Sequence, residues 1–128
     1  MIPTTNTRMN DIIELKEDGI IYVTYPEVVT EAAIERTYEI FLELAQHQGG
    51  QCLILVDMSG LKNLGTSALR QQIALVSGKI KPHVKKDAII GINSTLLRSA
   101  VNIGILISGR NDIRIFENKE TAIKWLKG

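Results

Sequence analysis

The stretch CLILVDMSG, residues 52–60, decides the fold, because it is apolar up to Met58 except at Asp57. An extended segment of this kind must be buried on both faces, which is typical of a central strand in a parallel sheet. Ser59 and Gly60 then supply turn chemistry, so Asp57 is predicted to lie at the carboxyl end of the strand. In open α/β sheets, that end is where ligands and partners bind.

Upstream of this strand, the sequence predicts a β-hairpin followed by a helix. The segments IIELK (residues 12–16) and IIYVTY (residues 20–25) flank Asp18 and Gly19, a strong two-residue turn signal. Thr30 is a suitable N-cap for the helix that follows. Apolar residues at spacings of four, three and four then define its buried face: Ile34, Tyr38, Phe41 and Ala45.

Immediately downstream, the same spacing predicts a second helix, beginning at about Thr66. Its apolar positions are Leu69, Ile73, Val76 and Ile80. The basic segment KPHVKK (residues 81–86) is interpreted as the connection to a fourth strand, DAIIGIN (residues 87–93).

The rest of the chain predicts one more helix, a strand and a terminal helix. Ser94 can cap the helix LLRSAVNIGILIS (residues 96–108), which residues 109–111 would end. A strand IRIF (residues 113–116) follows, and Asn118 can cap the last helix. In that helix Ala122 and Leu126 are expected to face inward.

This order of elements predicts an α/β fold, a β/α superhelix. We expect a five-stranded mixed sheet, with an N-terminal hairpin followed by parallel strands, and four helices mainly on one face. Residues 11–128 would form a single domain after a flexible lead-in of residues 1–10. Because the second face of such a sheet would be thinly covered, a homodimer is also expected.

Composition argues against several kinds of partner and compartment. Fifteen basic and fourteen acidic residues leave a net charge of +1, so no overall field attracts nucleic acid or anionic lipid. Cys52 is the one cysteine and lies in the apolar strand, as expected in a reducing compartment. The chain shows neither a secretory signal pattern nor about 20 consecutive apolar residues, so we expect a cytoplasmic protein without an integral membrane segment.

No motif indicates catalysis, and we expect neither an enzyme nor a bound metal or cofactor. The two histidines, His47 and His83, are not next to an apparent nucleophile, and no G-x-S-x-G, P-loop, G-x-G-x-x-G or H-E-x-x-H motif is present. Asp57 is similar in position to the phosphoacceptor of receiver domains, but the acidic pair that would hold magnesium is missing. Asp57 is therefore expected to accept backbone hydrogen bonds within its own turn.

One local concentration of positive charge surrounds the predicted connection after the second helix. It comprises Lys79, Lys81, His83, Lys85 and Lys86. A solvated loop and a phosphate or headgroup site are both compatible with this composition.

Two segments of the chain resemble STAS domains, the class that includes anti-sigma-factor antagonists, and the related SpoIIAA-like group. They are VDMSGLKNLGTSAL (residues 56–69), which is similar to the family's strand, turn and helix start, and IRIFENKETAIKWL (residues 113–126). The resemblance implies a non-catalytic regulatory module that binds a protein partner, such as an anti-sigma-type kinase. Gly65 and Ala68 stand where the family motif has aspartate and glycine.

The resemblance also implies a set of site residues. The family's phosphorylatable serine falls on Thr66, with Ser67 next to it, and phosphorylation there would prevent partner binding. Thr66 is equally suited to be a plain helix cap. The implied partner-binding residues are Asp57, Ser59, Gly60, Lys62, Asn63, Gly65 and Leu69.

An alternative function follows from the similarity of the SpoIIAA-like group to lipid-carrying CRAL-TRIO domains. It implies a small apolar-ligand or lipid-binding protein, whose ligand would lie along the helix between residues 96 and 107. The candidate lining residues are Leu97, Val101 and Ile105.

Overall fold

The computed structural model describes residues 12–128, which form one five-stranded sheet with strands in sequence order. The strands are β1 (Ile13–Leu15), β2 (Ile20–Thr24), β3 (Cys52–Asp57), β4 (Val84–Ile90) and β5 (Ile113–Ile115). β1 and β2 pair antiparallel, and the other neighbours pair parallel. The predicted mixed sheet is therefore confirmed, while the lead-in predicted for residues 1–10 lies outside the described residues.

Four α-helices follow the strands as predicted. They are α1 (Glu31–Gln48), α2 (Ser67–Lys79), α3 (Thr95–Ser108) and α4 (Lys119–Lys127). Each begins after an N-cap whose side-chain oxygen accepts a hydrogen bond from a backbone N–H three residues later. The caps are Thr30, Thr66, Ser94 and Asn118.

The start of β4 differs from the sequence prediction. Lys81–His83 forms a turn of 3₁₀ helix, and the strand then begins at Val84 and ends at Ile90, three residues earlier at each end than predicted. Val84 is buried in the core and pairs with Cys52, so tertiary packing extends the strand into the basic segment. As a result, Asp87 lies in the middle of β4.

The helices lie mainly on one face of the sheet, as predicted. Side chains of α1 and α3 pack in the larger core on that face, and α2 packs against both helices. α4 covers the centre of the other face, where Ala122 and Leu126 pack against the buried Ile20, Leu55 and Ala88. The homodimer was expected because this second face would be thinly covered, but α4 covers its centre. The homodimer stays a prediction.

Within residues 12–128, no helix has both the length and the apolar character needed to cross a bilayer.

Candidate functional site

Asp57 ends β3 and holds the turn that follows it. Its Oδ1 accepts a hydrogen bond from the Ser59 N–H at 2.9 Å. Its backbone oxygen accepts from the Tyr25 N–H at 2.9 Å, which ties the end of β2 to the end of β3. The predicted role of Asp57 as an acceptor in its own turn is confirmed.

The loop after β4 lies directly against this turn. Gly91 has a φ of +82°, and a Cβ built on it would be 2.5 Å from the Ser59 nitrogen and 2.7 Å from Asp57 Oδ1. Glycine is required here both because φ is positive and because a side chain would collide with the turn. The carboxyl ends of β3 and β4 are therefore in close contact.

The segment that continues from the turn is fixed by its backbone. The N–H groups of Lys62 and Asn63 both donate to the carbonyl oxygen of Glu27, at 2.9 and 3.1 Å. Asn63 Oδ1 then accepts from the Gly65 N–H at 2.8 Å, and Gly65 has a φ of +75°. These contacts define the shape of the loop without using the Lys62 side chain, which forms only an exposed ion pair with Glu27 at 3.5 Å.

Thr66 sits at the start of α2. Its Oγ1 accepts a hydrogen bond from the Leu69 N–H at 3.1 Å, so the predicted helix cap is confirmed. Arg70 Nη1 donates to the Gly65 carbonyl at 2.6 Å and holds the guanidinium beside the cap. Phosphorylation of Thr66 or Ser67 stays a prediction.

Together these residues form one continuous surface, called here the β3–α2 surface. Its exposed members are Ser59, Gly60, Lys62, Asn63, Thr66 and Ser67, and its half-buried members are Asp57, Gly65 and Leu69. The structure therefore brings all the predicted partner-binding residues together. Within residues 12–128, no group of three or more His, Cys, Asp or Glu side chains is placed to hold a metal ion.

The predicted basic segment does not form one cationic site. Lys81 Nζ donates to the Gly109 carbonyl at 3.4 Å, at the end of α3. Lys86 Nζ instead donates to the Trp125 carbonyl at 2.8 Å, in α4 on the opposite side of the sheet. Because these cations diverge, the solvated interpretation fits the segment better than a phosphate site.

A buried charged cluster lies beneath the helices, and sequence analysis did not identify it. Arg110, which the sequence presented only as part of the break after α3, is 5% exposed. Its Nη2 lies 3.1 Å from Asp87 Oδ2, its Nε donates to Asp112 Oδ1 at 3.0 Å, and its Nη1 donates to Ser77 Oγ at 3.1 Å. The one sequence signal for this cluster was Asp87, a charged residue directly before the apolar residues 88–90, which would need a buried partner.

Burial dominates the electrostatics of this cluster. It raises the pKa of Asp87 from the usual 3.8 to about 7, against the opposing attraction of Arg110 and with a further contribution from Asp112. Burial also raises the pKa of Tyr25 to about 12, and the charge of Asp87 adds to that effect. Among the described residues, Asp87 Oδ1 is buried without a hydrogen-bond partner.

A cavity of about 140 Å³ adjoins the cluster between α1, α2 and the sheet. Its lining includes the polar residues Asp87, Arg110, Ser77 and Tyr25. Most of its wall is apolar and includes Ile34, Phe41, Ile54, Val56, Ile73 and Val76.

The cavity lies apart from the apolar-ligand site predicted along α3. Leu97, Val101 and Ile105 are not among its lining residues. Leu97 and Val101 instead pack into the core on the α1 and α3 side of the sheet. Binding of an apolar ligand or lipid along α3 stays a prediction.

Comparison with known proteins establishes the class of this chain. A family model described as SpoIIAA-like matches residues 20–127. The chain belongs to the SpoIIAA-like family, and the resemblance seen in the sequence is confirmed.

A crystal structure of a protein with unknown function from Arthrobacter sp. FB24 is 23% identical, with a TM-score of 0.31. The alignment covers 96% of this chain and 98% of that one. No curated protein matches the sequence.

Proposed function

We propose that this protein is a non-catalytic, cytoplasmic regulatory module that binds a protein partner through the β3–α2 surface. We further propose that a hydroxyl at the start of α2, first Thr66 and second Ser67, accepts a phosphate that prevents binding. An anti-sigma-type kinase is the partner that this class of domain favours. The observation that carries the proposal is a polar turn that is exposed to solvent and yet fixed by backbone hydrogen bonds.

The composition of the surface supports protein recognition. Val28 is 56% exposed and its backbone pairs with Asn63, so an apolar side chain lies within the polar turn. Protein interfaces commonly combine an apolar centre with a polar rim. Because the turn is already ordered by its contacts with Glu27, little conformational entropy would be lost on binding.

The position of Thr66 supports a phosphorylation switch. A phosphate there would add a charge of about −1.5 to −2 where a partner docks. The N-terminus of α2 favours an anion because its first N–H groups and its dipole are positive. Arg70, held one turn along the helix, adds a cation nearby. The fold should therefore tolerate the modification while the binding surface changes.

A site-specific cross-linking experiment tests the location of the surface. A photo-crosslinking amino acid in place of Lys62 should capture a partner in cells. The same amino acid in place of Lys124 should not, because Lys124 is also exposed but lies on α4. Capture from both positions, or only from position 124, would contradict the proposed surface.

Variants of Thr66 then test the switch on the captured partner. Thr66→Glu should weaken its affinity by at least tenfold in calorimetry, because the added charge lies at the contact. Thr66→Ser, which retains the hydroxyl and the cap, should bind like the parent protein. Circular dichroism should show both variants folded, and equal affinity of all three proteins would remove Thr66 from the proposal.

A further inference from the structure

The size of the cavity between α1, α2 and the sheet limits what it can hold. An engineered apolar cavity of about 150 Å³ in another protein stays dry and binds benzene. At about 140 Å³, the present cavity matches a single six-membered ring and is far too small for a long acyl chain. Its apolar wall favours the faces of such a ring.

The polar part of the cavity selects for a hydrogen-bond donor. Asp87 Oδ1 is a buried acceptor whose partner is missing among the described residues, and such a group is unfavourable until it is paired. Arg110 offers little to an anion, since contacts with Asp87, Asp112 and Ser77 already use four of its five N–H groups. Two carboxylates against one guanidinium would also repel a carboxylate ligand.

We propose that this cavity binds a compact one-ring molecule, such as a phenol, whose hydroxyl donates a hydrogen bond to Asp87. The ring fills the apolar space between α1 and α2, and the hydroxyl pairs the buried carboxylate. This site is separate from the β3–α2 surface, so it stands whether or not that surface binds a protein.

Three probes of similar size test the chemistry on the full chain at about pH 8, where Asp87 is mainly ionised and phenol is still neutral. Phenol should bind saturably in heteronuclear NMR titrations and raise the melting temperature. Toluene should bind about tenfold more weakly because it has no donor, and benzoate should show no saturable binding. Lack of saturable phenol binding would overturn the proposal and indicate a cavity that holds water only. Benzoate binding as tight as phenol would overturn it too.

Paired substitutions in α2 test the location. Val76→Phe fills the cavity and should abolish phenol binding, because Val76 lines it. Leu75→Phe is the matched control, since Leu75 is 61% exposed and is not part of the lining, and it should bind phenol as the parent does. Equal affinities of the two variants for phenol would overturn the assignment.

A third substitution keeps the test decisive if Val76→Phe does not fold. Asp87→Asn has nearly the same shape but presents a neutral acceptor, which forms a weaker hydrogen bond. The preference for phenol over toluene should then fall from about tenfold to threefold or less. An unchanged preference would show that Asp87 does not receive the hydroxyl.

Discussion

The β3–α2 surface and the Arg110 cluster are two polar regions of the molecule that are built in opposite ways. On the surface, side-chain acceptors bond to N–H groups two or three residues away, as Asp57, Asn63 and Thr66 do. In the cluster, Arg110 joins α2 to β4 through Ser77 and Asp87, and both its charge and that of Asp87 are buried. Short-range polar contacts order the turn while leaving it exposed to solvent for recognition, whereas buried long-range contacts make stability depend on charge balance.

The largest expected effect is the loss of the guanidinium. Arg110→Leu would leave the buried Asp87 and the neighbouring Asp112 without their cation, and breaking a buried ion pair in this way destabilises by about 3–5 kcal/mol. Denaturant unfolding monitored by circular dichroism at about pH 8, where Asp87 is mainly ionised, measures the change. Arg98→Leu on the exposed side of α3 is the control, with a change within about 0.5 kcal/mol. Similar losses in both variants would mean that burial of the Arg110 charge and its ion pairs does not set the cost.

The next effect is a dependence of stability on pH. Asp87 has a pKa of about 7 when folded and 3.8 when unfolded, so between these values the folded state keeps a proton that the unfolded chain releases. The stabilisation is therefore complete below the lower pKa and is lost as the pH rises through the upper one. At about 1.4 kcal/mol per pKa unit, the free energy of unfolding should fall by about 2–3 kcal/mol between about pH 5 and pH 8.

Asp87→Asn is the control for this pH effect. It cannot ionise, and it retains His47 and His83, so most of the slope should disappear in denaturant titrations across the same range. A slope that persists in Asp87→Asn would assign the effect to other groups. A parent protein that gains stability toward pH 8 would show that the pKa of Asp87 is lowered instead.

The smallest effect concerns the exposed region. Thr66→Ala removes the cap that accepts from the Leu69 N–H, and such a loss typically destabilises by about 1 kcal/mol. Thr66→Ser should keep most of the parent stability in the same unfolding assay. A loss as large as that of Arg110→Leu would mean that the β3–α2 surface is a core element of the fold.

The difference between the two regions also explains what could be predicted from the sequence. Helix caps such as Thr30 and Thr66 act over three residues, so a local pattern contains the whole signal. The buried strand around Asp57 was equally clear, because an apolar run that ends in turn residues has few interpretations. Both of these local signals were sufficient to predict the elements and the position of the turn.

The Arg110 cluster could not be predicted because its partners are distant in sequence. Arg110 follows Gly109 after α3, where polar residues are ordinary, and its burial depends on contacts with Ser77 and Asp87. The early start of β4 has the same cause, since Val84 joins the strand by pairing with Cys52. The covering of the second sheet face by α4 likewise depends on contacts with strands that are distant in sequence.

Gly91 has one more consequence for how the exposed turn can be studied. The backbone of Ser59 packs against Gly91, which has no side chain and directly follows β4. A mutational scan limited to solvent-facing positions would miss this contact, although any larger residue at position 91 would displace the backbone of Ser59. The conformation of the turn that a protein partner would contact therefore depends on glycine at position 91, a residue outside the turn.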